Sequence, residues 1–183
     1  LVITTGGISV GEEDHVKPVL LTLGGDIHFG GVAIKPGKPV VHSPQQPEAE
    51  KELLRIAAER DAPITQVEKA YTYTEVAHNL DGQEMIITRR LTNNANAPLS
   101  LAAEPLRLHL PLLGMHQVQN AATAFAALDI IAQNGMALSP QAVAQGFAQV
   151  TWPARFEILR KEPPLVIDSA HNGDSMRRLR QTL

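Results

Sequence analysis

Short apolar runs typical of β-strands alternate along this chain with segments whose apolar residues recur at helical spacing, and this alternation constrains the fold more than any other feature. Strands are predicted at residues 2–5, 27–34, 40–43, 64–67, 106–112 and, as a short buried strand, 165–167. Helices are predicted at residues 12–23, 47–60 and 116–135, from 139 onward and after 172. The pattern predicts an α/β protein with a mainly parallel sheet and flanking helices. Residues 71–98 are less regular, with a turn signal at Asp81-Gly82.

Composition narrows the classes of function. The chain has 183 residues, of which 44% are hydrophobic and 19% charged, as in an ordinary globular protein. A net charge of -3 gives no basic field for nucleic acid, although a small anion needs only a few local cations. The absence of cysteine excludes disulfides, thiolate metal sites and cysteine nucleophiles, and it favours a cytoplasmic location. No apolar run reaches the roughly 20 residues of a membrane span.

Both ends of the sequence suggest a longer parent. The chain begins with Leu1 and enters a strand-like run without a charged leader, and its last helical pattern stops without Gly or Pro. We therefore expect a chain truncated at both ends.

Three glycines near the start indicate a tight connection between a strand and a helix. Gly6 and Gly7 follow the first strand, and Gly11 precedes an acidic helix start. Such a loop lets backbone N–H groups and the Ser9 hydroxyl approach a phosphate, although a purely structural turn is the reading that local physics favours. Lys35, in a Lys-Pro-Gly turn, is either an oxyanion ligand or a solvated lysine.

The order of two motifs carries a first resemblance. The chain contains VITTGGISVGEEDHVKPVLLTLGG and then IHFGGVAIKPGKP. These 39 residues resemble the central domain of molybdopterin molybdotransferases, which insert molybdate into a pterin cofactor. The resemblance implies an oxyanion role for Lys35 and a pterin site at Gly6, Gly7, Ser9, Gly11 and Asp14.

Polar residues later in the chain suggest nucleotide chemistry. Asn120, in LLGMHQVQNAATA, can donate and accept hydrogen bonds together, as adenine requires; a structural amide on a tightly packed helix is the alternative. Arg155 follows a Trp-Pro turn. It is either a fixed cation suited to phosphate or an arginine that binds no ligand. Asp168 and His171 follow a predicted strand and precede a helix, where they either bind a ligand or serve as a cap and an exposed ring.

A second resemblance rests on LLGMHQVQNAATA, WPARFE and DSAHN, together with IKPGKPVVHSPQQPEAE and the DGQ at residues 81–83. Over about 150 residues these resemble the folylpolyglutamate synthase/dihydrofolate synthase branch of the Mur ligases. The resemblance implies ATP and Mg as cofactors, and glutamate with folate or dihydropteroate as small-molecule substrates. It places Asn120 at adenine, Arg155 at the phosphates, and Asp168 and His171 at the nucleotide. Ala154 and Ser169 stand where that family writes glycine, and both are expected to be tolerated.

The two resemblances meet at residues 34–40, so the sequence is interpreted as a hybrid. Residues 1–36 are predicted to be a molybdopterin-binding-like βαβ fragment, residues 37–163 the C-terminal part of a Mur-ligase-like ATP-binding domain, and residues 164–183 the start of the next domain. The family's phosphate loop, Gly-Thr-x-Gly-Lys-Gly-Ser, does not occur in the sequence. We therefore predict an ATP-dependent glutamate ligase by descent that is inactive as this fragment, with no catalytic or metal-binding residue assigned. Molybdate insertion or a hybrid without function are the alternatives.

Overall fold

The computed structural model describes residues 2–4, 34–90 and 100–183. Its strands are β1 Val2–Thr4, β2 Val40–His42, β3 Ile64–Gln66, β4 Tyr71–Asn79, β5 Gly82–Arg89, β6 Leu106–Leu110, β7 Glu157–Lys161 and β8 Pro164–Ile167. Its helices are α1 Pro47–Glu59, α2 Val67–Ala70, α3 Met115–Gln133, α4 Pro140–Ala148 and α5 Gly173–Thr182. The helix predicted at residues 12–23, and the strand at 27–34 apart from its last residue, lie outside the described residues.

The first sheet is parallel and has the order β1-β2-β3. Val40 of its central strand lies opposite Val2 on one side and Ile64 on the other. Helix α1 covers this sheet by packing Ala57 against Val40, and Pro47 in its first turn has no N–H to leave unsatisfied. The predicted strand–helix–strand succession over residues 40–67 is confirmed here.

The second sheet is antiparallel, with the order β4-β5-β6. Strands β4 and β5 form a hairpin across the Asp81-Gly82 turn, so the predicted turn is confirmed, while the two long strands on either side of it were not predicted. Gly82 has φ +139, and a Cβ there would lie 2.5 Å from the carbonyl oxygen of Leu110. Glycine is therefore required for β6 to approach this turn.

The main core lies between this sheet and α3. Phe125 of α3 meets Tyr71 of β4 edge to face, with ring centroids 6.0 Å apart, and Met85 and Ile87 are fully buried beside them. Alanines make up much of the buried face of α3, so the helix approaches the sheet closely. Thr123, also buried, donates back to the carbonyl oxygen of Gln119.

A carboxylate is buried in this core. Asp129 has no exposed surface and accepts hydrogen bonds from the Tyr71 hydroxyl at 2.7 Å, the Ser100 hydroxyl at 2.9 Å and the Leu101 N–H at 2.7 Å. Arg89 supplies a cation at 3.2 Å and Gln133 an amide donor at 2.9 Å. These donors replace the hydration that the buried carboxyl group would otherwise lose.

The third sheet is a two-stranded antiparallel hairpin of β7 and β8. Two of the three described sheets are thus antiparallel, so the α/β class stands while the prediction of a mainly parallel sheet is not confirmed. The predicted buried strand at 165–167 is also wrong in its burial, since Leu165 is 46% and Ile167 44% exposed. Successive side chains of a strand point to opposite faces of the sheet, so a strand is fully buried only where both faces are covered. None of the described elements covers this hairpin on both faces.

Candidate functional site

The turn at residues 152–156 and the end of β8 are held together by the Asp168 carboxylate. Its two oxygens accept backbone N–H groups from Phe156 at 2.8 Å and from Ala170 at 2.7 Å. The backbone of Ser169 also donates to the carbonyl oxygen of Ala154 at 2.8 Å. The bonds from Phe156 and from Ser169 join two loops that are twelve or more residues apart in sequence, and the Ala170 bond stabilises the second loop locally.

The turn contains two residues in the left-handed region. Ala154 has φ +58 and Phe156 has φ +49, a backbone conformation that costs an L-residue about 1 to 2 kcal/mol. Position 154 is where the resembled motif has glycine, so the geometry explains that preference. Ser169, at the other glycine position, does not have a positive φ.

A small cleft of about 50 Å³ opens beside this pair of loops. Arg155 and Asp168 line it, and the first turn of α3 contributes His116 and Gln117. The opposite wall is one face of α5, formed by Ser175, Arg178, Leu179 and Thr182. Arg155 brings a guanidinium group to the cleft, a group suited to phosphate, and the Asp168 oxygens there already accept backbone N–H groups.

The other two predicted nucleotide residues lie near this cleft but do not line it. Asn120 is exposed, and its amide donates to the Gln117 side chain at 3.2 Å, which connects it to the cleft wall. His171 is exposed, with Nδ1 3.0 Å from the Ser169 carbonyl oxygen. The structure therefore brings Arg155 and Asp168 together, connects Asn120 indirectly and leaves His171 aside. Sequence reasoning missed His116, Gln117 and Arg178 as lining residues, although two of them stand in the LLGMHQVQN motif.

The start of α3 is positioned by Gln83, which follows the Asp81-Gly82 turn. Its buried side-chain amide donates to the carbonyl oxygens of Leu112 at 2.6 Å and Gly114 at 3.1 Å. Gly114 has φ +103, and a Cβ there would lie 2.5 Å from the Thr182 hydroxyl oxygen. The end of α5 therefore packs directly on the residue that precedes α3, and Thr182 is also part of the cleft wall.

A second, smaller cavity of about 30 Å³ lies at the end of β2. His42 lines it with Glu50, Gln66 and Lys69. The His42 Nδ1 donates to the Ser43 carbonyl oxygen at 2.8 Å, so Nε2 carries the lone pair in the neutral ring. Within the described part of the chain, Nε2 of His42 is the buried side-chain atom without a partner. The volume is enough for about two water molecules.

The predicted pterin site falls mostly beyond what the structure describes. Lys35 is exposed, in a turn closed by the Lys38 N–H donating to its carbonyl oxygen at 3.2 Å. Gly37 of that turn has φ +65 and donates to the Arg60 carbonyl oxygen at 2.9 Å. The remaining predicted residues, Gly6, Gly7, Ser9, Gly11 and Asp14, lie outside the described residues.

Residues 34–90 and 100–183 bring together no group of three His, Asp or Glu side chains suited to a metal ion. No helix in the described residues has the length and apolar character of a membrane span.

Comparison with known proteins gives two overlapping similarities. The model of the family described as "probable molybdopterin binding domain" matches residues 1–150. The molybdopterin molybdenumtransferase of Haemophilus influenzae is 59% identical over 39 residues, which are 21% of this chain and 9% of that protein. The dihydrofolate synthase/folylpolyglutamate synthase of Bacillus subtilis is 29% identical over 155 residues, which are 82% of this chain and 33% of that protein.

The fold agrees with the second similarity. The structure of Mycobacterium tuberculosis folylpolyglutamate synthase complexed with ADP superposes with a TM-score of 0.63 at 29% identity, and the match covers 79% of this chain and 30% of that one. The chain thus spans about a third of the length of these ligase relatives.

Proposed function

The chain belongs to the family of probable molybdopterin binding domains and is homologous over most of its length to folylpolyglutamate synthases, and from this premise we propose that it carries part of the adenine-nucleotide site of a glutamate-adding ligase. The parent activity would join glutamate to folate or dihydropteroate at the expense of ATP. In this proposal residues 37–163 belong to the ATP-binding domain, residues 164–183 begin the next domain, and residues 1–36 are a molybdopterin-type fragment.

The observation that carries the proposal is the cleft shared by Arg155 and Asp168. Asp168 holds the Trp-Pro turn in place through the Phe156 N–H, so the backbone that bears Arg155 is fixed at the cleft. The planar guanidinium of Arg155 can bind phosphate oxygens in a forked geometry. Asn120, one helical turn beyond Gln117, would lie toward the base.

Magnesium is not assigned to any residue of the described chain, because no suitable ligand group is present there. The printed sequence also contains no Gly-Lys-Ser or Gly-Lys-Thr to supply a phosphate lysine and a metal-bound hydroxyl. The residues present fit the outer part of a nucleotide and do not fit its metal. We therefore expect weak ATP binding, in the millimolar range or about -4 kcal/mol, and no glutamate ligation by this chain alone.

Isothermal titration with ATP tests the assignment. Arg155→Ala should weaken binding at least tenfold and Asn120→Ala by less, whereas Gln145→Ala, which removes an exposed amide on α4, should have no effect. Binding that is unchanged in both Arg155→Ala and Asn120→Ala would refute the nucleotide site. Formation of glutamylated folate by the chain alone would show that the reading of an incomplete site is wrong.

A second candidate function is supported by the similarity of the first 39 residues to a molybdopterin molybdenumtransferase. In that case the exposed Lys35, held in a rigid turn by Gly37 and Arg60, would bind an oxyanion such as molybdate. Titration with molybdate should show binding that Lys35→Ala removes and that Lys51→Ala, an exposed lysine of α1, leaves intact.

A further inference from the structure

We propose that the Asn172-Gly173 peptide at the start of α5 is a site of spontaneous deamidation, with water as the second reactant. The backbone nitrogen of Gly173 attacks the side-chain carbonyl carbon of Asn172. A nitrogen–carbon bond forms, and ammonia leaves with the proton of the Gly173 N–H. Water then opens the cyclic imide at either of its carbonyl carbons and leaves aspartate or isoaspartate at position 172. The reaction needs no nucleotide, so it is independent of the proposed function.

The chain contains two Asn-Gly pairs, and the fold treats them differently. Asn134-Gly135 follows the end of α3, whereas Asn172-Gly173 begins α5, and both pairs are exposed. Glycine has no Cβ to hinder its backbone nitrogen, so both pairs offer the same reacting groups. A difference in their rates therefore reports the structure around them.

At Asn134 both reacting groups are held. The Gly135 N–H donates to the Ala132 carbonyl oxygen at 3.0 Å, and the side-chain amide of Asn134 donates to the Ile130 carbonyl oxygen at 2.7 Å. With ψ 17, the Gly135 nitrogen nearly eclipses the backbone nitrogen of Asn134 and is turned away from its side chain. Attack requires that these bonds break and that the backbone rotates.

At Asn172 the geometry favours attack. Gly173 is the first residue of α5, and a helix leaves its first N–H groups without an acceptor inside the helix. With ψ 168, the Gly173 nitrogen lies opposite the backbone nitrogen of Asn172, on the side of Cα that carries the side chain. The Asn172 side-chain oxygen accepts the Ser175 N–H at 2.8 Å. This donor polarises the carbonyl group that is attacked and stabilises the charge that develops on its oxygen.

Incubation of the full chain in mildly alkaline buffer made with heavy-oxygen water, followed by peptide mass spectrometry, tests the assignment. The peptide that contains Asn172 should exchange its amide for a carboxyl group carrying the heavy oxygen. Position 172 should react about tenfold faster than position 134, a difference of about 1.4 kcal/mol in the barrier, which is comparable to one hydrogen bond. Equal rates, or a faster reaction at position 134, would overturn the proposal.

The same incubation in concentrated urea is the control for the role of the fold. Unfolding removes the hydrogen bonds of Asn134 and of Asn172 alike, so the two positions should then react at similar rates. If the same excess at position 172 persists in urea, the difference comes from neighbouring residues along the chain, and the structural basis of the proposal is wrong.

Gly173→Pro removes the attacking N–H at a position that accepts proline. Proline suits the first position of a helix and favours an extended residue before it, as Asn172 is at φ −135 and ψ 168. Deamidation at position 172 should stop, while position 134 reacts at its original rate. An intact rate at position 134 also verifies the fold, because unfolding would raise it to its value in urea. Continued deamidation of Asn172 in this variant would refute attack by the Gly173 nitrogen.

The two products should differ in their effect on α5, which forms one wall of the cleft. Aspartate is as good an N-cap as asparagine, and its charge suits the positive end of the helix dipole. Isoaspartate adds a carbon to the backbone and shortens the side chain, so the reciprocal cap with Ser175 is lost. Hydrogen exchange at Ser175 and Met176 should be unchanged in Asn172→Asp and faster in chains that contain isoaspartate. Equal exchange in these two forms would contradict the loss of the cap.

Discussion

The body of the protein between Tyr71 and Phe147 and the segment from Val150 to Leu183 are stabilised by different means. The body packs an antiparallel sheet on α3 around a carboxylate that has no exposure. In the segment no described side chain is buried, and large apolar side chains such as Trp152 at 61% and Leu159 at 53% are exposed. Its conformation depends on the hydrogen bonds of Asp168 and on the cap of α5.

This difference separates stability from recognition. Burial of apolar area supplies most of the free energy of folding, so the body sets the stability of the chain. The segment buries little apolar area and keeps its polar groups near the surface, where a ligand can reach the exposed Arg155. The cleft lies where these two regions meet, with α3 providing one wall and α5 the other.

The largest expected effect comes from removing the buried carboxylate of the body. Asp129→Ala should lower the free energy of unfolding by about 3 to 5 kcal/mol, because Arg89 and several buried donors would lose their acceptor. Urea unfolding followed by circular dichroism measures this. The control is Asp81→Ala, which removes the surface ion pair with Lys161 and should cost at most about 1 kcal/mol. Similar losses in the two variants would contradict the contrast between the regions.

The segment should respond to Asp168→Ala by local opening. Losing the acceptor of two backbone N–H groups should cost about 1 to 3 kcal/mol, and the loss should concentrate at Phe156 and Ala170. Hydrogen exchange should show these amides exchanging faster while amides in the middle of α3 keep their protection. Faster exchange across α3 would mean that the two regions unfold as one unit.

A rise in pH should lower the stability of the body through Tyr71. Burial, and then the hydrogen bond to Asp129, raise the pKa of the Tyr71 phenol above its usual value. Its contribution to stability is therefore complete below pH about 10 and is lost as the pH rises further, by about 1.4 kcal/mol per pH unit. Unfolding of Tyr71→Phe should show a smaller slope over this range. Tyr73, whose pKa is raised by burial and then by Glu68, should account for part of the slope that remains.

The smallest effect is expected from relieving the turn in the segment. Ala154→Gly relieves the backbone strain of a residue at φ +58. This relief should outweigh the cost of the greater entropy of the unfolded chain, so the free energy of unfolding should rise by about 0.5 to 1 kcal/mol. The midpoint of urea unfolding should rise slightly. A matched change at Ala142, in the first turn of α4, should instead destabilise by up to about 1 kcal/mol. A loss at both positions would show that the turn is not strained.

The sequence by itself determined the elements whose signals are local. Ser139 and Pro140 predicted the start of α4, and the Ser139 hydroxyl does accept the Ala142 N–H. The small-residue pattern of 116–135 predicted α3 to within two residues at each end. The two resemblances were likewise readable from short motifs, because such motifs keep their residue types and order.

Only the tertiary structure decided how these elements meet. Strand periodicity does not specify a partner, so the hairpin at 71–89, the antiparallel pairing of β8 with β7 and the exposure of Leu165 were not determined locally. Arg178 lies in a polar helix like its neighbours and is exposed, and its place in the cleft wall follows from the cap at Asn172 and the packing of Thr182 on Gly114. Contacts between residues distant in sequence select one face of a helix, and no local pattern contains that choice.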